Sequence, residues 1–341
     1  MITPQPIERA RALPDTGRRS ALAALSASVA ALAAPALAQS PVAGWPTKPV
    51  RLVVAGPAGS QSDIFARFVS EHFGKAFGQP IIVDNKPGGS GIIAAMAAIK
   101  GPVDGHTLLL SNASFIVVAR ALGMPMPYEL KDLAPIGMLA VGGTLLSVAP
   151  ELPVRTAREL FAYLKAQPRP LSYGTLGNGS SAHLTMEWLG SSNGVKLVHV
   201  PYKSGSEVAR DIAAGVLQIG WIDTSSSLPL IRTGKIRPLA VNATMRMPAT
   251  PEIPTLTESG YPFETNGWQA LFAMGGTPEP IVRALNAELN RLLKNEEIRQ
   301  RLLTFNVATP PPHSADQFEQ IIQSDLKAWR KIAVDNGVKA D

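Results

Sequence analysis

The 341-residue sequence contains no cysteine. Disulfides, thiolate catalysis and cysteine-based zinc sites are therefore excluded. The five histidines, His72, His106, His183, His199 and His313, never stand at metal-ligand spacing, and HExxH is absent. No metal and no cofactor are expected. Runs of lysine or arginine are lacking as well, so no nucleic acid is expected as a partner. Neither a Walker A motif nor GxSxG occurs. Long apolar runs are missing too. The run from Ala21 to Ala34 is short, alanine-dominated and broken by Ser26 and Ser28, which suits it poorly to spanning a bilayer.

What is there is a chain with 45% hydrophobic and 17% charged residues, enough for a substantial core in one large or two medium domains. Arg18-Arg19, the apolar run and Ala36-Leu37-Ala38 together have the layout of a cleavable secretory signal over residues 1–38. The paired arginines also suit a twin-arginine route, but TGRRSAL lacks a bulky pair after them, so ordinary secretion is the better fit. Either route would place the mature protein outside the cytoplasm. Arg9, Arg11, Arg18, Arg19, Glu8 and Asp15 all precede Ala38, so the formal charge of +6 falls to +4 beyond it.

The mature chain is organised around Val53 to Phe77. A short strand ends at Ala55, a loop of small residues follows, and a helix begins with Ile64, Phe65, Phe68, Val69, Phe73 and Phe77 on one face. Ser60 and Asp63 have capping-box spacing, which makes Ser60 the expected N-cap. A strand, a small-residue loop and a helix N-terminus form a common anion site, because the N–H groups of the first turn are free and the helix dipole adds positive potential. A carboxylate at Asp63 would repel an anion if it faced the cleft, so it is expected to turn back toward Ser60. Proline at Ser60 is expected to harm this loop by removing an N–H and fixing φ.

Strands and helices then alternate along the chain, which predicts parallel α/β sheets. Expected helices cover 92–100, 156–165, 207–214, 278–293 and 314–336, with another opening near His183. Expected strands lie at 81–83, 107–110, 171–175, 195–200, 216–222, 239–242 and 268–274, and two more flank Gly142-Gly143. Small polar loops recur where strands end: Gly59 to Ser62, Ser111 to Ser114 and Gly177 to Ala182, with Asp223-Thr224-Ser225 closing a further strand. In open α/β sheets ligands sit beyond the carboxyl ends of strands. These loops offer N–H and hydroxyl groups with almost no charge, which fits a small anion held by fixed dipoles. Gly89 to Ala94 matches GxGxxA, but the preceding strand ends too early and no acid closes the next strand to hold a ribose.

Trp45-Pro46-Thr47-Lys48-Pro49-Val50-Arg51-Leu52-Val53-Val54, Gly59 to Ile64, Val83-Asp84-Asn85-Lys86-Pro87-Gly88, Asp104 to Leu109, Gly177 to Leu184, His199 to Lys203, Pro251 to Thr255 and Gly276-Thr277-Pro278 occur in that order. Through these segments the chain resembles the Bug family, the extracytoplasmic solute receptors of tripartite tricarboxylate transporters. The resemblance implies a two-domain α/β periplasmic binding protein, a type II-like Venus flytrap closing on a small carboxylated solute. One domain would comprise residues 39–142 and 262–341, the other 143–261.

The family's first pocket loop falls on Ala58, Gly59, Ser60, Gln61, Ser62 and Asp63. Its second falls on Gly177, Gly179, Ser180, Ser181, Ala182 and His183, and its strand-end aspartate on Asp223. Ser111 and Ser114 join these as candidates from the strand-end pattern. The sequence departs from the family pattern at Ala58, where proline is usual, at Ser60, where a second glycine is usual, and at Gln61, where a small hydroxyl residue is usual. Ala182 stands in place of a small polar residue. Ligand identity therefore does not carry over. Expected partners are a small organic acid (a carboxylate, dicarboxylate, acidic amino acid or aromatic acid) and membrane transporter subunits. The rival readings are a periplasmic sensor and a secreted hydrolase built on Asp63 or Ser181, although no base, nucleophile and oxyanion set can be assembled for the latter.

Overall fold

The computed structural model describes residues 42, 44–335 and 337–338. The expected signal peptide, residues 1–38, lies outside the described residues. Two five-stranded sheets carry the fold. The first contains β1 (Val50–Val54), β2 (Ile81–Asn85), β3 (Thr107–Asn112), β4 (Leu133–Gly142) and β10 (Gly267–Met274), in the order β2-β1-β3-β10-β4. The second contains β5 (Leu145–Val148), β6 (Ser172–Thr175), β7 (Val198–Pro201), β8 (Ile219–Ile222) and β9 (Arg237–Val241), in the order β7-β6-β8-β5-β9. No helix among the described residues is long and apolar enough to cross a membrane.

Both sheets are mixed, which corrects the expectation of parallel sheets. β10 runs antiparallel to β3 and β4, with Gln269 opposite Asn112 and Trp268 opposite Val141. β5 runs antiparallel to β8 and β9. The reason is connectivity. Strands joined through a helix return parallel, whereas β5 and β10 arrive directly from the other sheet and enter head-on.

Strand periodicity decides which helices cover which face. Leu52 and Val54 of β1 and Leu108 and Leu110 of β3 pack with Phe65, Val69 and Phe73 of α1 (Gln61–Phe77) and with Leu285, Leu289 and Leu292 of α7 (Glu279–Lys294). Val53 and Leu109 point the other way, toward Ala94, Ala95 and Ala98 of α2 (Ile92–Ile99). A sheet buried on both faces accepts such continuous apolar runs. That second core continues onto the other sheet, to Tyr173 and Trp221 and to α3 (Ala157–Lys165). The bridge is α9 (Ala315–Asp335), whose Trp329 sits edge-on to Phe263 at 5.6 Å.

Local signals fixed several helix starts. Thr156 accepts the Glu159 N–H at 3.1 Å to open α3. Ser314 and Gln317 make a reciprocal capping box ahead of α9, with bonds of 3.1 and 2.8 Å. α4 (Ser181–Asn193) and α5 (Gly205–Ala213) are opened by Ser180 and Ser204. Two further helices are α6 (Thr224–Arg232) and α8 (Glu296–Thr304), and a π-helical turn at Ser114–Val118 runs on into Ala119–Ala121.

Candidate functional site

The first loop is built around its own helix start. Ser60 has φ −74° and ψ 165°, and its hydroxyl accepts the Asp63 N–H at 3.4 Å. The Asp63 carboxylate does turn back into the loop, but its bond goes to the Gly59 N–H at 3.0 Å, not to Ser60, and Arg67 Nε donates to the same oxygen at 3.0 Å. Burial works to raise the Asp63 pKa. The hydrogen bonds from Arg67 and Gly59 outweigh it and hold the carboxyl below its ordinary value. An ionised Asp63 thus balances the positive end of α1. Because φ at Ser60 already suits proline, the damage expected from Ser60→Pro reduces to its lost hydroxyl and its lost N–H bond to Pro57 O. Ser60→Ala is expected to cost about 1 kcal/mol of stability, the usual price of an N-cap. Urea denaturation checks this, and a change within experimental error would mean that Asp63 alone holds the turn.

The second loop has the same plan with different electrostatics. Ser180 caps α4 by accepting the His183 N–H at 3.2 Å, and no acid stands in the first turn. Nδ1 of His183 accepts the Gly179 N–H at 3.2 Å, which requires that nitrogen to be unprotonated. The ring stacks on His199 at 4.0 Å and 11°. Burial, reinforced by the neighbouring His183, pushes His199 down to about 3, so that ring is neutral at ordinary pH. Gly179 has φ +70°, a conformation that glycine adopts without strain.

The two lobes touch at the loop ends. The Ser114 hydroxyl accepts the Ser181 N–H at 3.0 Å and lies 3.1 Å from the Ser181 hydroxyl. Ser90 Oγ donates to Asn178 O at 2.6 Å. A separate bridge forms at Asn306. Its side chain accepts the Ala249 N–H at 2.6 Å and donates to Thr250 Oγ1 at 3.0 Å, and its carbonyl accepts the Thr224 hydroxyl at 3.1 Å. The crossing from β4 to β5 is pinned by Asn242 Oδ1, which takes both the Thr144 N–H at 2.6 Å and the Thr144 hydroxyl at 3.1 Å.

A cleft of about 550 Å³, part of it open to solvent, lies among these elements. Its polar lining is Gln61, Asn112, Ser114, Thr144, Ser181, Asp223 and Gln269. Its apolar lining is Ala113, Ala140, Val141, Leu176, Trp268 and Val307, and Gly142, Gly143 and Gly267 complete it. No lysine, arginine or histidine is among the lining residues. The arrangement offers hydrogen-bonding groups and an apolar wall.

Of the candidates, Gln61, Ser114, Ser181 and Asp223 are brought together on the cleft wall. Ser62 stands behind it, its hydroxyl donating to Gln269 Oε1 at 3.2 Å. Ser60, Asp63 and Ser180 shape the two helix starts. Ser111 is buried within β3 opposite Ala270, and Ala182 is buried in the core. Ala58 and Gly59 are exposed in the first loop, and Gly177 and Gly179 supply left-handed turns in the second. His183 lines a separate hollow with Met186, Glu187 and Lys196. The residues that sequence reasoning missed include Thr144, Trp268 and Gln269, at the lobe crossings, and Val307, in the loop after α8. The Gly142-Gly143 break between two strands was the signal that marked one crossing.

Residues 65–338 match the family described as tripartite tricarboxylate transporter family receptor. The chain is 30% identical over 315 residues to Protein BugT of Bordetella pertussis, covering 92% of this chain and 95% of that one. Among solved structures, R. palustris Rpa4515 with adipate is similar at TM-score 0.81 and 33% identity, over 86% of this chain and 98% of that one. MatC from Rhodopseudomonas palustris with bound malate is similar at TM-score 0.78 and 28% identity, over 84% and 99% of the two chains.

Proposed function

The chain belongs to the Bug family of tripartite tricarboxylate transporter receptors, periplasmic solute-binding proteins rather than enzymes, and from that premise we propose that it captures a small carboxylated solute and hands it to membrane transporter subunits. The observation that carries the reading is the convergence of Gln61, Ser114, Ser181 and Asp223, from four separate strand ends, on one cleft between the sheets. We take residues 39–142 with 262–341 as one domain and 143–261 as the other. The adipate and malate found in the R. palustris relatives support a carboxylate as the solute class.

The carboxylate is assigned to the N-terminus of α4, where no acid balances the dipole and the Ser181 hydroxyl, which accepts from Ser114, keeps its own proton to donate. A thermal-shift screen of the unfolded and refolded protein tests the reading. A bound acid at 100 times its Kd is expected to add about 2.7 kcal/mol of apparent stability. Silence from every acid, with shifts from neutral sugars or amines, would overturn it.

A further inference from the structure

We infer that Asn112 and Gln269, side by side in the first sheet, set the specificity of the cleft by taking a second carboxylate of the solute. The inference rests on the receptor reading above and narrows its solute class to diacids.

The two residues lie directly opposite one another in the antiparallel pair of β3 and β10, so their side chains leave the same face of the sheet. Both are half-buried, and both line the cleft. A side-chain amide can offer a ligand its oxygen or its NH2 group, and here the surroundings decide which. Asn112 Oδ1 accepts the Phe115 N–H at 3.1 Å. A backbone N–H can only donate, so that partner commits the oxygen and leaves Nδ2 as the free end of the amide. Gln269 Oε1 accepts the Ser62 hydroxyl at 3.2 Å, from the first turn of α1. Neither NH2 group has a partner among the described residues. Neither is sealed from solvent, and the hollow that both residues line is the cleft.

The pair therefore presents donors, with each oxygen already engaged. That suits an acceptor-only group and ill suits an ammonium. Among the groups an organic acid can carry, an ionised carboxylate gains most, because charge-assisted hydrogen bonds are roughly twice as strong as neutral ones. This point is separate from the first. The Gln269 amide is tied to the start of α1, whose dipole Asp63 already balances, while the first carboxylate is assigned to the start of α4 in the other lobe. The second carboxylate is thus held by neutral side chains, without help from a helix end. A solute bound at both points ties the two lobes together.

Calorimetry on the refolded protein tests this with succinate, glutarate and adipate against butyrate, valerate and hexanoate, the monoacids of matching length. At least one diacid is expected to bind about tenfold or more tightly than its monoacid. Asn112→Asp and Gln269→Glu keep the oxygen that Phe115 or Ser62 bonds and put a charged oxygen in place of NH2. Each is expected to melt near the wild type and to lower the diacid preference by more than about tenfold. Gln269→Leu removes the donors without adding charge and is expected to lower the preference by about tenfold, which decides the matter if the charged variants do not fold. A purely structural role would weaken both members of a pair alike. Such equal losses would put the amides on a single carboxylate and overturn the inference. So would monoacids that bind the wild type as tightly as their diacids, or a preference that survives Gln269→Leu and Gln269→Glu. All three outcomes leave the receptor reading standing. Failure of every acid to bind, in this set and in the thermal-shift screen, would overturn both.

Discussion

Asn306→Ala is expected to destabilise the protein by about 3 kcal/mol, from two buried hydrogen bonds lost and a left-handed backbone that alanine resists. Asn306 is fully buried at φ +55°, a conformation that asparagine tolerates better than most residues. Its side chain satisfies the Ala249 N–H and meets Thr250 Oγ1. Alanine leaves both without a partner and strains the backbone as well. Asn306→Gly separates the two contributions: it loses the same bonds but relieves the strain, so it should fall short of the alanine loss by roughly 1 kcal/mol. Urea denaturation of both variants, read with an unchanged denaturant slope, gives the answer. If Asn306→Ala unfolded within about 0.5 kcal/mol of the wild type, the bridge would be incidental.

Gly205→Val is expected to cost more than tenfold in solute affinity and about 1–3 kcal/mol in stability, the usual range for overpacking. Here glycine is required by a close approach, not by an unusual φ. A Cβ at Gly205 would stand 2.3 Å from Asp223 N, 2.9 Å from Asp223 Oδ2 and 3.1 Å from Ile222 C. The atoms it meets are mostly backbone, so the end of β8 must move, and Asp223 moves with it. Calorimetry with the best acid from the screen measures the affinity, and a melting curve confirms that the variant is folded at the temperature used. Wild-type affinity in a folded Gly205→Val protein would remove Asp223 from the binding site.

The parts of this architecture that were legible in the sequence are the local ones. Ser60, Thr156 and Ser314 announce helices because a cap acts over three or four residues. The alternation of β1, β3 and β8 with apolar-faced helices gave the class of fold. What failed was direction and long-range pairing. Nothing in the β10 sequence states that Gln269 will lie opposite Asn112, antiparallel and inside the first sheet. The Ser114–Val118 turn has a run of apolar residues with no period to read, and α6 carries Pro229 among serines, so neither looked helical. The cleft divides the same way. Gln61, Ser114, Ser181 and Asp223 sit at strand ends and helix starts, where chemistry shows in short spans. Trp268, Gln269 and Val307 reach the cleft only through pairing across the fold.

The place of β10 in the first sheet also sets an order on the making of the molecule. β10 separates β3 from β4, so β4 has no sheet partner until residues 267–274 have left the ribosome. The second sheet is nested between β4 and β10 in the chain, and its five strands are complete by Val241. One lobe can therefore close on itself while the other still waits for an interior strand, even though the waiting lobe begins nearer the N-terminus. The usual rule that domains fold from the N-terminus as they emerge is inverted. A chain of this topology completes its nested lobe before the sheet that surrounds it in sequence can close.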